Sequence, residues 1–254
     1  MDDNDMPRNQ NYFSQYGCSM VLVGDPNLIP QLHSYGYSLD SIFIQLGPTG
    51  WQDIVDATVN EYGVKRFYID EPIRNGYQQF VRDASTFIAL WGGALTISES
   101  YFDWYDWYIN GGRGRIGAMV DLALSCSPPP FVCCHTHFED WDLLDPRDQW
   151  TYIHDRVPQL FKMVIIKSGQ TADEMTLLWG HANNLGLNQV LLYPFWNGYY
   201  AGVQTALTQG NSEGGWAQRY FLELREVWCC PSIYWEEDVC TYQYSDYTGG
   251  AQWF

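Results

Sequence analysis

Short β-rich runs separated by helical patterns recur along this chain, and they limit its possible folds more than any other feature. The eight runs are SMVLVGD, SIFIQLG, KRFYIDEP, GALTISES, GAMVDLALS, FVCCHTH, KMVIIKSG and QVLLYPFW. Strand and helix in alternation is the pattern of a parallel sheet. One (β/α)8 barrel of about 250 residues fits a chain of 254. The sequence therefore predicts an α/β fold, a single (β/α)8 TIM-type barrel.

The segments between the runs carry the signals that begin and end helices. Thr171 with Glu174 forms a capping-box pattern, and Asp145 with Pro146 gives an N-cap followed by a first-turn proline. Val55, Val59 and Tyr62 share one helical face before Gly63. The exception follows the fifth run, where CSPPP is too short and too rich in proline for a helix, so a bare loop is predicted there.

No linker or low-complexity run divides the chain, which favours one domain. The predicted organisation is an N-terminal extension over 1–16, the barrel over 17–228 and a tail over 229–254. The tail is aromatic without helical spacing, so we expect it to be irregular and packed on the barrel.

Composition narrows the classes of partner. A formal net charge of −17 opposes a phosphate backbone, so no nucleic-acid partner is expected. No apolar run is long enough to span a bilayer. Aromatic residues make up 17% of the chain, which favours a carbohydrate or another neutral polyhydroxyl ligand. The protein is expected to be extracellular or on the cell surface. The polar start, without the apolar core of a signal peptide, leaves the cytoplasm open as well. Self-assembly is left undecided.

Seven cysteines lack the paired spacing of a structural zinc site. Cys133 and Cys134 lie within a predicted strand and are expected to be buried thiols. Cys229 or Cys230 could form a disulfide with Cys240 in an exported protein. No cofactor is predicted.

Side chains alternate along a strand, and a barrel carries its active site at the C-terminal strand ends. If Leu95 and Ile97 face the helices, Thr96 and Ser98 face inward and Glu99 lies at the lip. The same rule predicts a set of inward or strand-end residues on the other strands: Asp25, Gln45, Tyr68, Asp70, Asp121, His135, His137, Lys167, Tyr193 and Trp196. A structural polar network that closes the barrel is the alternative explanation of this set.

Asp70, Glu71 and Glu99 bring carboxyl groups to the ends of neighbouring predicted strands. Within such a cluster, one carboxyl group can be protonated and act as an acid while another is ionised, as glycoside hydrolysis requires. Alternatively, Glu71 only caps a loop and Glu99 opens the next helix.

The acid Glu99 at the end of strand four and the aromatic Trp196 at the end of strand eight resemble the glycoside hydrolases with (β/α)8 barrels. This resemblance implies carbohydrate hydrolysis with Glu99 as general acid, and it implies Trp196 as a ring that stacks on sugar. Lys167 stands where that family has its nucleophile, so the partner carboxylate would be Asp70 or Glu71.

Three alternatives remain open. His135 and His137 resemble the HxH metal motif of amidohydrolases, which place it on their first strand. Substrate binding or proton transfer is therefore favoured for both, and no metal is predicted. His135 and Lys167 resemble the histidine and Schiff-base lysine of type I dehydroquinases, although no inward arginine is evident. The third alternative is a non-catalytic secreted or surface module that keeps the fold and its carbohydrate-binding aromatic residues.

The run GGRGR over 111–115 lacks the spacing of a phosphate-binding loop. It is predicted to be an ordinary loop before strand five.

Overall fold

The computed structural model describes residues 20–100, 114–136, 146–167, 180–187, 189–193 and 221–223, together with residue 178. For some strand and helix residues, among them His135, Lys167 and Tyr193, the description is limited to the backbone. The predicted extension over 1–16 and the tail over 229–254 lie outside these ranges, so both stay predictions.

The described strands form one parallel sheet in which each strand pairs with the next along the chain. They are β1 Val21–Val23, β2 Ile42–Gln45, β3 Arg66–Asp70, β4 Ala94–Ser100, β5 Phe131–Thr136, β6 Phe161–Lys167, β7 Gln189–Tyr193 and β8 Phe221–Glu223. Sequential parallel strands with helical crossovers confirm the predicted α/β class and a TIM-barrel-like architecture.

Helices occupy most of the described connections. They are α1 Ile29–Ser34, α2 Trp51–Ala57 with a π turn over Thr58–Tyr62, α3 Gln78–Leu90, α4 Gly114–Ser125 and α5 Pro146–Arg156. Short 3-10 turns cover Pro26–Leu28 and Leu39–Ser41. No helix in the described ranges is long and apolar enough to cross a membrane.

Several predicted helix boundaries are confirmed. The π turn after α2 ends at Gly63, whose φ of 76° is the left-handed conformation that glycine adopts without steric cost. Helix α5 begins at Pro146 and buries Trp150 and Ile153, as its predicted face requires. Of the helix predicted from Thr171, residues 180–184 are described and helical, and Gly186 follows them at φ 71°.

The central strands alternate between two environments. Ile42, Ile44, Phe67, Ile69, Leu95 and Ile97 are buried in one core with helix residues such as Val55, Val81, Ile88 and Met119. Each such side chain contributes about 1.5–3 kcal/mol on burial, so a one-residue slip of register would cost several of these contributions. The residues between them on β3 and β4, including Tyr68 and Ser98, therefore face the inner side of the curled sheet.

The prediction of a fifth strand at GAMVDLALS is wrong, because this segment forms most of α4. Ile116, Met119, Val120 and Ala123 are fully buried at spacings of three and four residues, which is the period of a helix. Starting the pattern at Gly117 omitted Ile116 and made a short alternation resemble a strand. The strands predicted as six, seven and eight are therefore β5, β6 and β7. Strand β8 was not predicted.

Asp121 accordingly lies on the surface of α4 and not on an inward strand face. Its side chain is 67% exposed, and its Oδ1 accepts a hydrogen bond of 2.7 Å from Arg156 on α5. Exposed ion pairs contribute about 0–1 kcal/mol, because water screens the charges and both side chains lose freedom. The prediction that Asp121 binds a ligand inside the barrel is therefore wrong.

We expect Asp121→Asn to lower the free energy of unfolding by no more than about 1 kcal/mol. Urea denaturation followed by circular dichroism measures this change. Ile116→Ala, which truncates a fully buried side chain of the same helix, should cost about 2–5 kcal/mol. A larger loss for Asp121→Asn than for Ile116→Ala would contradict the helical assignment.

Candidate functional site

The C-terminal ends of β3 and β4 carry a hydrogen-bonded group of Tyr68, Asp70 and Ser98. The Tyr68 hydroxyl donates to Asp70 Oδ1 at 3.0 Å, and Ser98 Oγ donates to the same oxygen at 3.2 Å. Tyr68 Oη and Ser98 Oγ are 2.6 Å apart. Tyr68 and Ser98 are fully buried, whereas Asp70 is only partly buried. The two hydroxyls therefore hold the Asp70 carboxyl group in position at the open end of the inner face.

Tyr68 and Cys133 are the buried acids beside Asp70. Burial raises the pKa of the Tyr68 hydroxyl well above its usual value, and the negative charge of Asp70 raises it further. Burial likewise raises the pKa of the Cys133 thiol, with Cys134 and Asp70 adding to the effect. Both groups therefore keep their protons at neutral pH. Cys133 and Cys134 are fully buried free thiols, as predicted.

Glu71 follows Asp70 in a strained conformation. Its φ is 43°, which is uncommon for a residue with a Cβ atom and costs about 1–3 kcal/mol. Its N–H donates to the Ser98 carbonyl at 2.8 Å, and its own carbonyl accepts from Asn75 at 3.0 Å. Its carboxylate pairs with Arg74 Nη1 at 2.7 Å. Such conformations concentrate at functional sites. The turn holds Glu71 and Arg74 at the same sheet edge as Asp70.

Glu99 lies in the helix layer and not at the lip where the sequence placed it. It shares the alternation of Leu95 and Ile97, is fully buried, and accepts a hydrogen bond of 2.9 Å from the Ile73 N–H through Oε2. Arg115 Nη1 lies 3.7 Å from Oε1, and this oxygen has no hydrogen-bond partner among the described residues. The carboxyl group is therefore buried below the C-terminal ends of the strands.

The pKa of Glu99 is raised well above its usual value. Burial is the main cause, because it penalises the charged form, and the nearby charge of Glu71 adds to it. Arg115 and the Ile73 N–H act in the opposite direction without cancelling the effect. Glu99 is a buried acid that favours its neutral form, and it does not face the inner side where a substrate would bind.

Asp25 and Gln45 follow the first two strands. Asp25 Oδ1 accepts from the Asn27 backbone N–H at 2.9 Å and from its side-chain amide at 2.8 Å, so Asp25 caps the turn over Pro26–Leu28. Gln45 ends β2 on the inner side and is 8% exposed. Capping accounts for Asp25 without any ligand, whereas Gln45 shares the inner face with Tyr68.

For the remaining predicted site residues, the structure describes no side-chain contact with the group around Asp70. His135 pairs in register with Ser100 and Ile165, and Lys167 with Tyr193, but only their backbones are described. His137 and Trp196 lie outside the described residues. Their predicted positions at the inner strand ends stay predictions.

Two arginines at this edge were missed by the sequence analysis. Arg74 and Arg115 have side chains 16% and 23% exposed, and each lies next to a glutamate. The spacing of Glu71 and Arg74 was an available signal, since residues three apart meet within a single turn. Arg115 stood in GGRGR, which was predicted to be a loop, although Gly114 and Arg115 begin α4.

The described side chains do not make a metal centre. Within the described ranges, no three His, Cys, Asp or Glu residues are arranged to hold a metal ion. Asp70 and Glu71 offer carboxylate oxygens of the kind that Mg²⁺ prefers. However, Glu71 forms an ion pair with Arg74, and Asp70 accepts hydrogen bonds from two hydroxyl groups. These contacts leave Asp70 and its two hydroxyl partners as groups that can bind a ligand and transfer a proton.

Known structures provide a comparison for the whole fold. A protein described as a "putative lyase/mutase from Burkholderia cenocepacia J2315" superposes with a TM-score of 0.50 at 12% identity, covering 87% of this chain and 82% of its own. A 2,3-dimethylmalate lyase, described as a PEP mutase/isocitrate lyase superfamily member, gives a TM-score of 0.53 at 12% identity, covering 98% and 90%. No protein-family model and no curated protein sequence matches the chain. At this identity the likeness is one of fold.

These neighbours correct the functional expectation. They are lyase and mutase enzymes, so the resemblance to glycoside hydrolases is wrong, and the predictions of a hydrolase and of a carbohydrate-binding site fall with it. The alternative of a non-catalytic carbohydrate-binding module is likewise not supported by these neighbours. These neighbours give no support to the Schiff-base role predicted for Lys167 and His135. The position of Glu99 in the helix layer independently removes the proposed general acid from the inner face.

Proposed function

We propose that this protein is a lyase or mutase of small carboxylic acids, with its site at the C-terminal ends of β3 and β4. The observation that carries the proposal is the Asp70 carboxyl group, held on the inner face by the Tyr68 and Ser98 hydroxyls. The fold neighbours support this class of reaction. We also propose that the sheet closes into an eight-stranded barrel, because β8 approaches β1.

The charges at this edge favour a carboxylate substrate with a hydroxyl group. Arg74 and Arg115 bring guanidinium groups to an edge rich in acids, and guanidinium recognises carboxylate through paired hydrogen bonds. Asp70 is the partly buried acceptor that a substrate hydroxyl can reach. A 2-hydroxy dicarboxylate, the type of compound named for one fold neighbour, combines both groups.

The proposed step is cleavage of the carbon–carbon bond next to the hydroxyl-bearing carbon. Asp70 takes the hydroxyl proton, and the oxygen forms a carbonyl as the C2–C3 bond breaks. The bonding pair goes to C3, where it is delocalised into the adjacent carboxylate and then takes a proton from water. The products are a 2-oxo acid and a second carboxylic acid. Tyr68 and Ser98 act as positioning residues, since they contact Asp70 and not the reacting atoms.

Incubation with 2,3-dimethylmalate and related 2-hydroxy dicarboxylates tests the proposal. We expect time-dependent release of a 2-oxo acid, measured as its hydrazone by chromatography, with Mg²⁺ and with a chelator in parallel arms. The control compounds are the same dicarboxylates without the 2-hydroxyl group, and they should give no product. The proposal is wrong if no hydroxy dicarboxylate in the series is cleaved or rearranged in either arm.

A further inference from the structure

A cavity of about 280 Å³ opens at the N-terminal ends of the strands, the edge opposite to Asp70. Residues from β2 to β6 line it: Phe43, Arg66, Ala94, Thr96, Phe131, Val132, Lys162 and Met163. Arg66, Ala94 and Phe131 are the first residues of their strands. Ser98 lies one inward position beyond Thr96 along β4 and is fully buried. The cavity is therefore distinct from the candidate site at the other edge.

Two cationic side chains line this cavity. The Arg66 guanidinium lies over the Phe43 ring, with its carbon 5.3 Å from the ring centroid. Lys162 Nζ donates to the Pro158 carbonyl at 3.3 Å. Although the chain carries 30 acidic residues against 13 lysines and arginines, neither Arg66 nor Lys162 forms an ion pair within the described part of the chain. Both charges are therefore available to an anion.

An irregularity in the sheet brings Lys162 to the cavity. Val132 pairs with Phe161 and Cys133 pairs with Met163, so the register passes over Lys162. This is a β-bulge on β6, and a bulge redirects the side chain of its extra residue. Phe161 belongs to the helix-side core, while Lys162 and Met163 both line the cavity. The bulge thus turns two consecutive residues towards the same space.

Among the described lining residues, the rest of the wall is apolar except for one hydroxyl. Phe43, Phe131 and Met163 supply aromatic and thioether surface. Thr96 is 4% exposed, and its hydroxyl has no hydrogen-bond partner among the described residues. An engineered cavity of about 150 Å³ binds benzene. A space of 280 Å³ therefore accommodates a benzene-sized group together with a charged substituent.

We propose that this cavity binds a small organic anion, in which a benzene-sized apolar group carries one carboxylate. The carboxylate accepts hydrogen bonds from Arg66 and Lys162, and the Thr96 hydroxyl donates a third. The apolar group contacts Phe131 and Met163. This site does not depend on the proposed lyase reaction, because it shares no residue with the group around Asp70.

Titration calorimetry with benzoate and its neutral isostere benzamide tests the site. Benzoate should bind saturably, and benzamide at least ~10-fold more weakly, because it forms no charge-assisted hydrogen bonds. Lys162→Gln and Arg66→Gln should each weaken benzoate binding by about 10-fold or more. Lys65→Gln is the matched control, since Lys65 is an exposed neighbour of Arg66 that does not line the cavity. Asp70→Asn should bind benzoate like the parent protein.

The proposal is overturned if benzoate shows no saturable binding up to about 10 mM. Equal binding of benzoate and benzamide would also overturn it. An affinity for benzoate that Lys162→Gln leaves unchanged would overturn the proposal as well. Lys162→Gln keeps the test decisive should Arg66→Gln disturb the fold through its loss of the Phe43 contact, because Lys162 is only partly buried.

Discussion

Asp70→Asn is expected to lower kcat for cleavage of a 2-hydroxy dicarboxylate by about 10²–10⁴-fold, the usual contribution of a positioned general base. Asparagine has nearly the shape of aspartate, and its oxygen can still accept from Tyr68 and Ser98. It cannot take up the substrate proton. The variant should therefore remain folded and bind substrate with little change in KM. Steady-state kinetics and a thermal melt measure both effects.

Asp121→Asn is the matched control for this variant, since it makes the same chemical change on an exposed helix surface. We expect it to retain parental kcat and KM. A second variant, Tyr68→Phe, removes one hydrogen bond to Asp70 and should lower kcat more than it alters KM, as a positioning role implies. Full activity of Asp70→Asn, with its fold intact, would assign the proton transfer to another group.

The alternation of side chains along the strands gave the best guide to the candidate site. From the apolar partners Leu95 and Ile97, it placed Thr96 and Ser98 on the inner side, and the structure has them there. The same rule put Tyr68 beside Asp70. A period of two works here because burial of the helix-facing residues fixes the register of each strand.

The same rule, carried one residue further, would have corrected the placement of Glu99. Strand β4 continues to Ser100, so Glu99 shares the parity of Ile97 and faces the helices. The predicted run GALTISES already reached Ser100, but the sequence analysis did not apply the alternation to its last two residues and placed Glu99 at the lip. Strand ends are hard to predict, because the final residues of a strand carry little local signal.

Contacts made by α4 could not be predicted from local pattern. The position of Arg115 near Glu99 depends on how the chain returns from β4 to the first turn of that helix. This is a tertiary contact with no sequence period. The β-bulge at Lys162 is similar, because the extra residue is defined only by the register between β5 and β6.

Glu99→Gln is expected to raise the free energy of unfolding at pH 7 by roughly 1 kcal/mol or more, because each pH unit between the unfolded-state and the folded-state pKa of Glu99 costs the parent about 1.4 kcal/mol, a cost that a neutral glutamine avoids. Burial raises the pKa of the Glu99 carboxyl group above the usual 4.5. The folded protein therefore binds this proton more tightly than the unfolded chain. Its contribution to stability is complete below pH 4.5 and is lost as the pH rises through the folded-state pKa.

Glutamine imitates the protonated acid at every pH, so the two proteins should unfold alike below the usual pKa of glutamate and diverge above it. Urea denaturation at a series of pH values measures the divergence. Glu61→Gln, on an exposed position, is the matched control and should follow the parent throughout. If Glu99→Gln were less stable than the parent at pH 7, Glu99 would be ionised and held by Arg115, whose Nη1 lies 3.7 Å away. The ion pair would then outweigh burial, which removes the charge from water.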